Sequence, residues 1–353
     1  MDGNDELIIG NNDRILVTGA AGFVGSRVVR ALLRRGFCNV RCLVRSKHRV
    51  PLLEKCAAEY RRRANVEIVY GDLLSSADCI GATNDVALIY HLAAGAGLKS
   101  VSDAFLNSVV ATRNLLAATL LQSCLKRFVN TSSFAVYDVA KKRGRVLDEL
   151  CPVVSHPGSV QDAYEFAKLK QDELVLEYAK KYGVPVVTVR PGYVFGPGKP
   201  GITGRVGIAT FGLYLHTGGG NPIPLTYVDN CADAIVLAGV KPGIEGEVFN
   251  IVDDDLPSSR QFLRLYKRNV KHFTTVYVPH ALSYACCWAW ERYSIWSDQQ
   301  LPPVFNRKRW YTYWKRTQYS NLKLKTLGWV PEIQMSEGLA RYFESCRAGE
   351  QNA

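Results

Sequence analysis

Apolar strand-like segments alternate with amphipathic helical segments along the first half of this sequence, and this alternation predicts an α/β fold. Runs rich in Val, Ile and Leu are typical of strands that are buried on both faces of a parallel sheet. The predicted strands are Ile15–Val17, Val40–Val44, Val66–Tyr70, Val86–Leu92, Arg127–Asn130 and Val184–Arg190. Apolar residues at three- and four-residue spacing predict helices at Gly22–Arg35, Ser102–Gln122 and Ala163–Lys181. We therefore expect a doubly wound parallel sheet with helices on both faces.

The pattern changes after Pro191, where glycine and proline become dense up to Pro224 and the strong alternation is lost. We expect a polar N-terminal extension over residues 1–13, an α/β domain over 14–191 and a smaller C-terminal α/β portion over 192–353 that faces the substrate. A helix at Val228–Val240 and a strand at Glu247–Val252 are again regular. The segment Val228–Val252 is therefore expected to return to the first domain and pack on it.

The composition predicts a globular chain, because 47% of its 353 residues are apolar and 22% are charged. A formal net charge of +12 fits three kinds of partner: nucleic acid, an anionic membrane surface or phosphorylated small molecules. The sequence contains no zinc-finger spacing, basic zipper or RNA-stacking motif. We therefore expect no nucleic-acid partner.

The ten cysteines form no Cys-x-x-Cys pair and have no histidine at metal-ligand spacing. This distribution predicts reduced thiols and no metal site. The acidic N-terminus lacks the apolar segment of a signal peptide, and no stretch reaches the roughly 18 apolar residues that a spanning helix needs. We therefore expect a cytoplasmic protein.

The stretch Thr18–Gly25 joins the first predicted strand to the first predicted helix and carries three glycines in the spacing Gly-x-x-Gly-x-x-Gly. Glycines let the backbone approach a ligand closely, and the free N–H groups of a helix start attract negative charge, so the turn suits a pyrophosphate. The spacing differs by one residue from the dinucleotide fingerprint Gly-x-Gly-x-x-Gly. Taken alone, it fits a plain tight turn equally well.

Tyr164 and Lys168 stand at the start of a predicted helix, where a separation of four residues places them on one face. A phenol is a poor base at neutral pH, but a neighbouring cation favours the phenolate. Such a tyrosine can exchange a proton with a substrate oxygen. An amphipathic surface helix can also carry this pair without any function.

Three hydroxyl residues, Thr131, Ser132 and Ser133, follow the apolar strand that ends near Asn130. At the carboxyl edge of a sheet, a hydroxyl can donate a hydrogen bond to a substrate oxygen that gains charge. These residues can equally be a polar strand end. Together with the glycine turn and the Tyr164–Lys168 pair, they indicate a catalytic site.

With these motifs, the chain resembles an extended short-chain dehydrogenase/reductase of the NAD-dependent epimerase/dehydratase family. The resemblance runs from Arg14 to about Pro331. Further segments that carry the resemblance are Gly71–Leu73, His91–Ala94, Asn107, Arg190–Pro197, Tyr227–Asp229 and Leu327–Pro331. The resemblance implies a Rossmann-type NAD(P)-binding domain and hydride transfer between nicotinamide and a carbon that bears a hydroxyl or ketone. It also implies a homodimer through the helices Ser102–Gln122 and Ala163–Lys181.

The resemblance further implies roles for individual residues. Tyr164 would be the acid/base, and Ser133 would orient the substrate oxygen. Lys168 would lower the tyrosine pKa and hold the nicotinamide ribose, and Asn107 would support Lys168 through a water. The other residues expected to bind the cofactor are Gly19, Gly22, Phe23, Val24, Gly25, Asp72, Leu73, Leu92, Ala93, Ala94, Thr131, Pro191 and Val194, with Asp72 and Leu73 at the adenine and Pro191 and Val194 beside the nicotinamide.

Arg45 predicts which dinucleotide binds, since it lies about 20 residues after the last glycine of the turn, where an acid usually binds the ribose 2′-hydroxyl of NAD. An arginine at this place accommodates the 2′-phosphate of NADP. Lys47, His48 and Arg49 add positive charge. NADP is therefore favoured over NAD. A second interpretation has Arg45 stacked on the adenine without discriminating between the two.

Two departures from nucleotide-sugar enzymes bear on the substrate. Thr131–Ser133 stands where sugar dehydratases have Thr-Asp-Glu, so dehydratase activity is not expected. Gly218–Tyr227 lacks an arginine that many of those enzymes place before Tyr-Val-Asp, and it resembles the 3β-hydroxysteroid/sterol dehydrogenase branch. We expect a dehydrogenase or reductase of a secondary alcohol or ketone on a sterol-like or other bulky apolar substrate. The alternatives are a nucleotide-sugar 4-epimerase and a non-catalytic protein that senses the cofactor's redox state.

The segment Ala281–Trp290 is apolar and aromatic but too short to span a bilayer. One interpretation is a packed core helix. The other is weak peripheral contact with a membrane that holds an apolar substrate, since basic and aromatic residues flank the segment.

Overall fold

The computed structural model describes residues 7–46, 50–95, 100–155, 162–210, 212–297 and 306–351. The strands within these ranges are β1 (Ile15–Thr18), β2 (Asn39–Val44), β3 (Asn65–Tyr70), β4 (Leu88–His91), β5 (Arg127–Thr131), β6 (Val146–Leu147), β7 (Val186–Pro191), β8 (Tyr193–Phe195), β9 (Gly207–Thr210), β10 (Leu213–His216), β11 (Leu225–Tyr227), β12 (Val248–Ile251), β13 (Thr275–Tyr277) and β14 (Gln318–Tyr319). Seven of them form a parallel sheet in the order β12-β7-β5-β4-β1-β2-β3.

Helices connect these strands and continue through the C-terminal portion. They are α1 (Gly25–Arg34), α2 (Pro51–Tyr60), α3 (Ser76–Thr83), α4 (Val101–Phe105), α5 (Ala111–Thr119), α6 (Ala163–Tyr182), α7 (Val228–Val240), α8 (Ser259–Asn269), α9 (His280–Trp296), α10 (Arg307–Trp314), α11 (Leu322–Lys325) and α12 (Met335–Gln351). A π-helical turn, Leu106–Val110, joins α4 to α5, and a 3₁₀ turn, Phe134–Val136, follows β5.

The core lies on both faces of the seven-stranded sheet, because successive strand residues point to opposite sides. In β1, Ile15 and Val17 pack with α1 and α7, whereas Leu16 packs with α3, α5 and α6. All three side chains are fully buried. The doubly wound α/β fold predicted from the sequence is therefore confirmed.

The predicted helix Ser102–Gln122 is not continuous, because the π-helical turn interrupts it. The Asn107 amide donates to the Asp103 backbone carbonyl at 2.9 Å, and the Thr112 hydroxyl donates to the Ser108 carbonyl at 2.5 Å. Side chains that donate hydrogen bonds to helix carbonyls compete with the backbone N–H groups for those carbonyls. Such competition favours a locally wider helical turn. The wider turn lies beside the cavity described below.

The chain returns to the main sheet after Pro191. Strand β12 pairs with β7 at the sheet edge, and α7 packs against α1. Arg34 of α1 donates to the Asp233 carboxylate of α7 at 2.8 Å. The remaining elements form a three-stranded sheet, β13-β10-β9, and an aromatic cluster between α8 and α12 that contains Phe262 and Tyr342.

Within the described residues, no helix combines the length and apolar character needed to cross a bilayer. The same residues contain no group of three or more His, Cys, Asp or Glu side chains arranged to hold a metal ion.

Candidate active site

The glycine turn between β1 and α1 packs so tightly that side chains are excluded at two positions. Gly19 has a φ of +67°, and a Cβ atom there would lie 2.9 Å from the Ala93 backbone nitrogen. A Cβ atom on Gly25 would overlap the Gly19 carbonyl oxygen and lie 2.8 Å from its carbonyl carbon. Helix α1 also starts without a side-chain cap. The N–H groups of Ser26, Arg27 and Val28 nevertheless donate to the Gly22 and Val24 carbonyls. Among the first four residues of α1, it is the Gly25 N–H that has no such bond in the structure described and is available to an anion.

A buried histidine ties this turn to the neighbouring strand. His91, at the end of β4, pairs with the Thr18 hydroxyl through Nδ1 and with the Thr112 hydroxyl through Nε2, both at 2.8 Å. Burial, reinforced by the positive charge of Lys168, lowers the pKa of His91 to about 3. The ring is therefore neutral at physiological pH and acts as a fixed link between the sheet and the π-helical region.

A cavity of about 590 Å³ opens at the carboxyl ends of β1, β2 and β4. Predicted cofactor residues on its wall are Gly19, Gly22, Arg45, Asp72, Leu73, Leu92, Ala93 and Ala94, and Asn107 joins them. This is the position at which open α/β sheets bind ligands. The volume is of the order of known small-molecule pockets.

The other predicted residues are not part of this cavity wall. Phe23 faces Lys199, whose ammonium is 5.7 Å from the ring centroid, and Val24 packs partly buried against the core. The Val194 carbonyl accepts from the same ammonium at 3.3 Å. Pro191 is buried where β7 pairs with β12. Lys47, His48 and Arg49 lie outside the described residues.

The predicted catalytic hydroxyls meet where β5 ends and α6 begins. Asp162 caps α6 by accepting from the Tyr164 and Glu165 backbone N–H groups at 2.9 and 3.2 Å. Ser133 caps the 3₁₀ turn by accepting from the Ala135 N–H at 3.2 Å. These two caps place the side chains of Ser133 and Tyr164 within hydrogen-bond contact of each other.

Lys168 lies one turn further along α6 and is almost completely buried, with 3% of its surface exposed. Its ammonium donates to the Thr131 carbonyl at 2.7 Å and to the Gln171 side-chain oxygen at 3.0 Å. Burial lowers the pKa of Lys168 to about 8, although the Asp172 carboxylate opposes this shift. The Thr131 hydroxyl is buried and has no hydrogen-bond partner among the described residues.

An acidic residue that we did not predict organises the surroundings of Lys168. The Asp172 carboxylate accepts from Asn130 at 2.9 Å, from the Ser132 hydroxyl at 2.8 Å and from Arg190 at 3.2 Å. Gln171 donates to Asn130 at 2.8 Å and accepts from Lys168, which closes the network. The signal was the spacing, because residues three and four positions after Lys168 share its helix face.

One expected effect differs from the structure, and one stays a prediction. The support of Lys168 by Asn107 through a water stays a prediction; in its direct contacts, the Asn107 side chain accepts from Arg45 at 2.5 Å and donates to Asp103. The pKa of Tyr164 is raised rather than lowered, because burial outweighs its hydrogen bond with Ser133. In the state described, the Lys168 ammonium is directed to Thr131 and Gln171 instead of to the phenol.

Comparison with known proteins gives matches along nearly the whole chain. The trifunctional UDP-glucose 4,6-dehydratase/UDP-4-keto-6-deoxy-D-glucose 3,5-epimerase/UDP-4-keto-L-rhamnose reductase of Arabidopsis thaliana is 27% identical over 352 residues, which are 94% of this chain and 46% of that protein. This chain thus spans less than half of that plant protein's length. The 2-alkyl-3-oxoalkanoate reductase of Stenotrophomonas maltophilia is 26% identical over 352 residues, which are 95% of this chain and 100% of that protein.

A solved structure with the same fold is UDP-glucuronic acid 4-epimerase from Bacillus cereus in complex with UDP-glucuronic acid and NAD. Its TM-score is 0.70 at 21% identity, with 95% of this chain and 99% of that chain covered. A model of the NAD dependent epimerase/dehydratase family matches residues 15–251, which include every candidate residue named above. The chain therefore belongs to the NAD dependent epimerase/dehydratase family, a family of extended short-chain dehydrogenases/reductases.

Proposed function

We propose that this protein is an NADP-dependent reductase or dehydrogenase that transfers a hydride between nicotinamide and a ketone or secondary alcohol carbon of a bulky apolar substrate. The observation that carries the proposal is the contact between the Ser133 and Tyr164 hydroxyls, one helical turn from buried Lys168. A protein that only senses the cofactor has no need of this acid/base arrangement.

The site residues fit a dinucleotide. Gly19 and Gly22 line the cavity, and the close packing at Gly19 and Gly25 fixes the backbone of the turn. The Thr131 hydroxyl, which has no partner among the described residues, lies beside the lysine. When bound, the dinucleotide supplies or accepts the hydride. Ser133 donates a hydrogen bond to the substrate oxygen, and Tyr164 transfers its phenolic proton to that oxygen. The Lys168 charge stabilises the phenolate that remains.

Burial raises the pKa of the Tyr164 phenol, so it carries its proton at neutral pH, which is the form that donates to a ketone oxygen. Oxidation of an alcohol, by a dehydrogenase or in the first step of an epimerase, needs the phenolate, so this protonation state does not separate the two candidates. The whole-length match to a reductase of 2-alkyl-3-oxoalkanoates supports a ketone substrate with an apolar body.

The second candidate is a nucleotide-sugar 4-epimerase. It is favoured by the Bacillus cereus epimerase structure, which holds UDP-glucuronic acid and NAD, and by the nucleotide-sugar activities in the name of the plant relative. A dehydratase is disfavoured, because the Ser132 hydroxyl is buried against Asp172 where an acid is needed.

Net turnover of the cofactor separates the two candidates. With NADPH and hydrophobic ketones, we expect a steady loss of absorbance from the reduced nicotinamide. The rate should be highest below about pH 8, where both Tyr164 and Lys168 are protonated, and should fall above it as Lys168 loses its charge. Interconversion of UDP-sugars without net cofactor turnover would instead support the epimerase.

The choice of NADP rests on Arg45, an exposed residue on the cavity wall at the end of β2. Its guanidinium donates to Asn107, which also lines the cavity, and Ser46 follows Arg45 in the sequence. No acid stands at this strand end to bind a free 2′-hydroxyl. A guanidinium instead offers several donors to a phosphate.

Replacing Arg45 with aspartate should therefore weaken NADP(H) binding about ten- to a hundredfold while leaving NAD(H) binding unchanged or improved. Titration of intrinsic fluorescence with both dinucleotides measures this. Arg62→Asp, which makes the same charge change at an exposed residue away from the cavity, is the matched control. Unchanged NADP(H) affinity in Arg45→Asp would show that Arg45 does not select the cofactor.

We also propose that the chain forms a homodimer through α4, α5 and α6. A second proposal is that the protein is located in the cytoplasm. Exposed leucines on this part of the chain support the dimer, since Leu106, Leu121 and Leu176 are 45%, 67% and 52% exposed. All ten cysteines are free, which supports a reducing compartment.

A further inference from the structure

Helix α9 leaves several large apolar side chains exposed. The most deeply buried residues of its inner side are Ser283 and Ser294, which are 6% and 2% exposed, and Tyr284, Cys287 and Trp290 are half-buried beside them. Ser283 accepts a hydrogen bond from the Trp310 indole at 2.9 Å, and Glu291 accepts from Arg307 at 2.9 Å. Polar contacts with the region of α10 therefore hold the helix in place.

The opposite side of α9 is apolar and faces outward. A stripe at three- and four-residue spacing contains Leu282, Ala285, Ala289, Tyr293 and Trp296, all of them exposed. Leu282 is 55% exposed and Trp296 is 80% exposed. We call this stripe, together with its flanking residues Trp288 and Ile295, the α9 face.

The α9 face is not the core helix that one interpretation of the sequence predicted. Trp288 and Ile295 leave 48% and 56% of their surfaces exposed, where core residues of this size would be covered. A soluble chain rarely exposes a contiguous apolar surface without a partner for it.

The charge around the α9 face indicates which partner fits. Residues 280–297 and 306–317 contain one carboxylate, Glu291, which is already paired with Arg307. The basic residues of these ranges whose side chains the structure describes are Arg292, Arg307, Lys315 and Arg316, and the Lys315 ammonium is directed to backbone carbonyls. Two copies of this positive region would repel each other if the faces were joined. An anionic lipid surface would attract it.

We propose that the α9 face docks in the interfacial layer of an anionic membrane. Tryptophan and tyrosine suit the boundary between headgroups and acyl chains, because each joins an apolar ring to a polar atom. Arg292 lies on the exposed side, with its guanidinium 6.0 Å from the Trp288 ring centroid, where it can reach lipid phosphates. The helix lies in the surface plane and does not cross the bilayer.

The segment that follows α9 and α10 contacts residues close to the catalytic hydroxyls. After α10, the Lys315 ammonium donates to the Val139 carbonyl at 2.9 Å, and Tyr319 stacks on Phe134 with ring centroids 5.8 Å apart. Phe134 directly follows Ser133. Docking would thus bring the substrate-facing portion close to a lipid layer, which suits an apolar substrate if the proposed function holds.

Flotation of the intact chain with vesicles tests the docking without measuring chemistry, so its outcome is independent of the proposed reaction. We expect binding to mixed phosphatidylcholine and phosphatidylglycerol vesicles at low salt and little binding to phosphatidylcholine alone. Trp288→Ser combined with Trp296→Ser should lower the partition coefficient at least about tenfold. Arg292→Glu should also weaken the binding. Thermal unfolding by circular dichroism verifies that each variant is folded.

The control is Leu322→Ser combined with Val330→Ser, two changes at side chains that are 70% and 73% exposed but lie outside the α9 face. This control variant should bind like the unaltered chain. No binding to anionic vesicles would overturn the proposal, as would equal binding by the double tryptophan variant. A dimer in sedimentation that the tryptophan changes convert to monomer would assign the α9 face to a second copy and also overturn it.

Discussion

Replacing Tyr164 with phenylalanine is expected to lower kcat by about a thousandfold while the affinity for NADPH stays nearly the same. A positioned general acid contributes roughly a hundred- to ten-thousandfold, and phenylalanine removes the proton while keeping the ring. The half-buried ring continues to cover the start of α6. Steady-state kinetics with a ketone substrate and a separate binding titration measure the two effects.

The matched control for this variant is Tyr182→Phe, at the other end of the same helix, where the side chain is 46% exposed. It loses the same hydroxyl and should retain full activity. If Tyr164→Phe kept wild-type kcat, the proton would have another donor, and the role given to the contact between Ser133 and Tyr164 would be wrong.

Replacing Gly25 with alanine is expected to abolish dinucleotide binding at practical concentrations and to destabilise the fold by about 1–3 kcal/mol. The added Cβ would overlap the Gly19 carbonyl oxygen, and backbone at this turn cannot move aside as a flexible side chain can. Gly19 itself is held by its close approach to Ala93. The change therefore distorts the turn that approaches the pyrophosphate.

Gly81→Ala provides the comparison, since it lies within α3 and a Cβ there meets nothing within 4 Å. Alanine in a helix should leave binding unchanged and raise stability by about 0.5–1 kcal/mol. Calorimetric titration with NADPH and thermal unfolding of both variants measure the contrast. Normal NADPH affinity in Gly25→Ala would remove the glycine turn from the cofactor site.

The fold was predictable because the strands of a doubly covered parallel sheet have a strong apolar signal. The strand at Arg127–Thr131 and the helix at Val228–Val240 lie within one residue of their predicted bounds. The break at Leu106–Val110 was not predicted, because side-chain hydrogen bonds to helix carbonyls leave no mark on apolar periodicity.

The candidate site was predictable where spacing along one helix or one turn determines it. Tyr164 and Lys168 share a helix face for that reason, and Ser133 follows from its place at a strand end. The destinations of the polar groups were not predictable. The Lys168 ammonium is directed to Thr131 and Gln171, and the Asn107 side chain contacts Arg45 and Asp103, through contacts that depend on tertiary packing.

The raised pKa of Tyr164 has the same origin, since burial in the folded chain is not visible in the spacing of Tyr164 and Lys168. It bears on function, because the phenol has to lose this proton before it can act as a base. The outward-facing side of α9 is a further case. An apolar segment such as Ala281–Trp290 does not reveal which of its sides is covered.

Stoichiometric label transfer tests the central claim most directly. The intact protein is incubated with NADPH that carries deuterium at the transferable position of the nicotinamide, together with a hydrophobic ketone, and the product is analysed by mass spectrometry. The proposed function predicts one deuterium on the carbinol carbon for each cofactor oxidised. An isomerised UDP-sugar with no net oxidation of the cofactor, and no alcohol formed from any ketone, would contradict it.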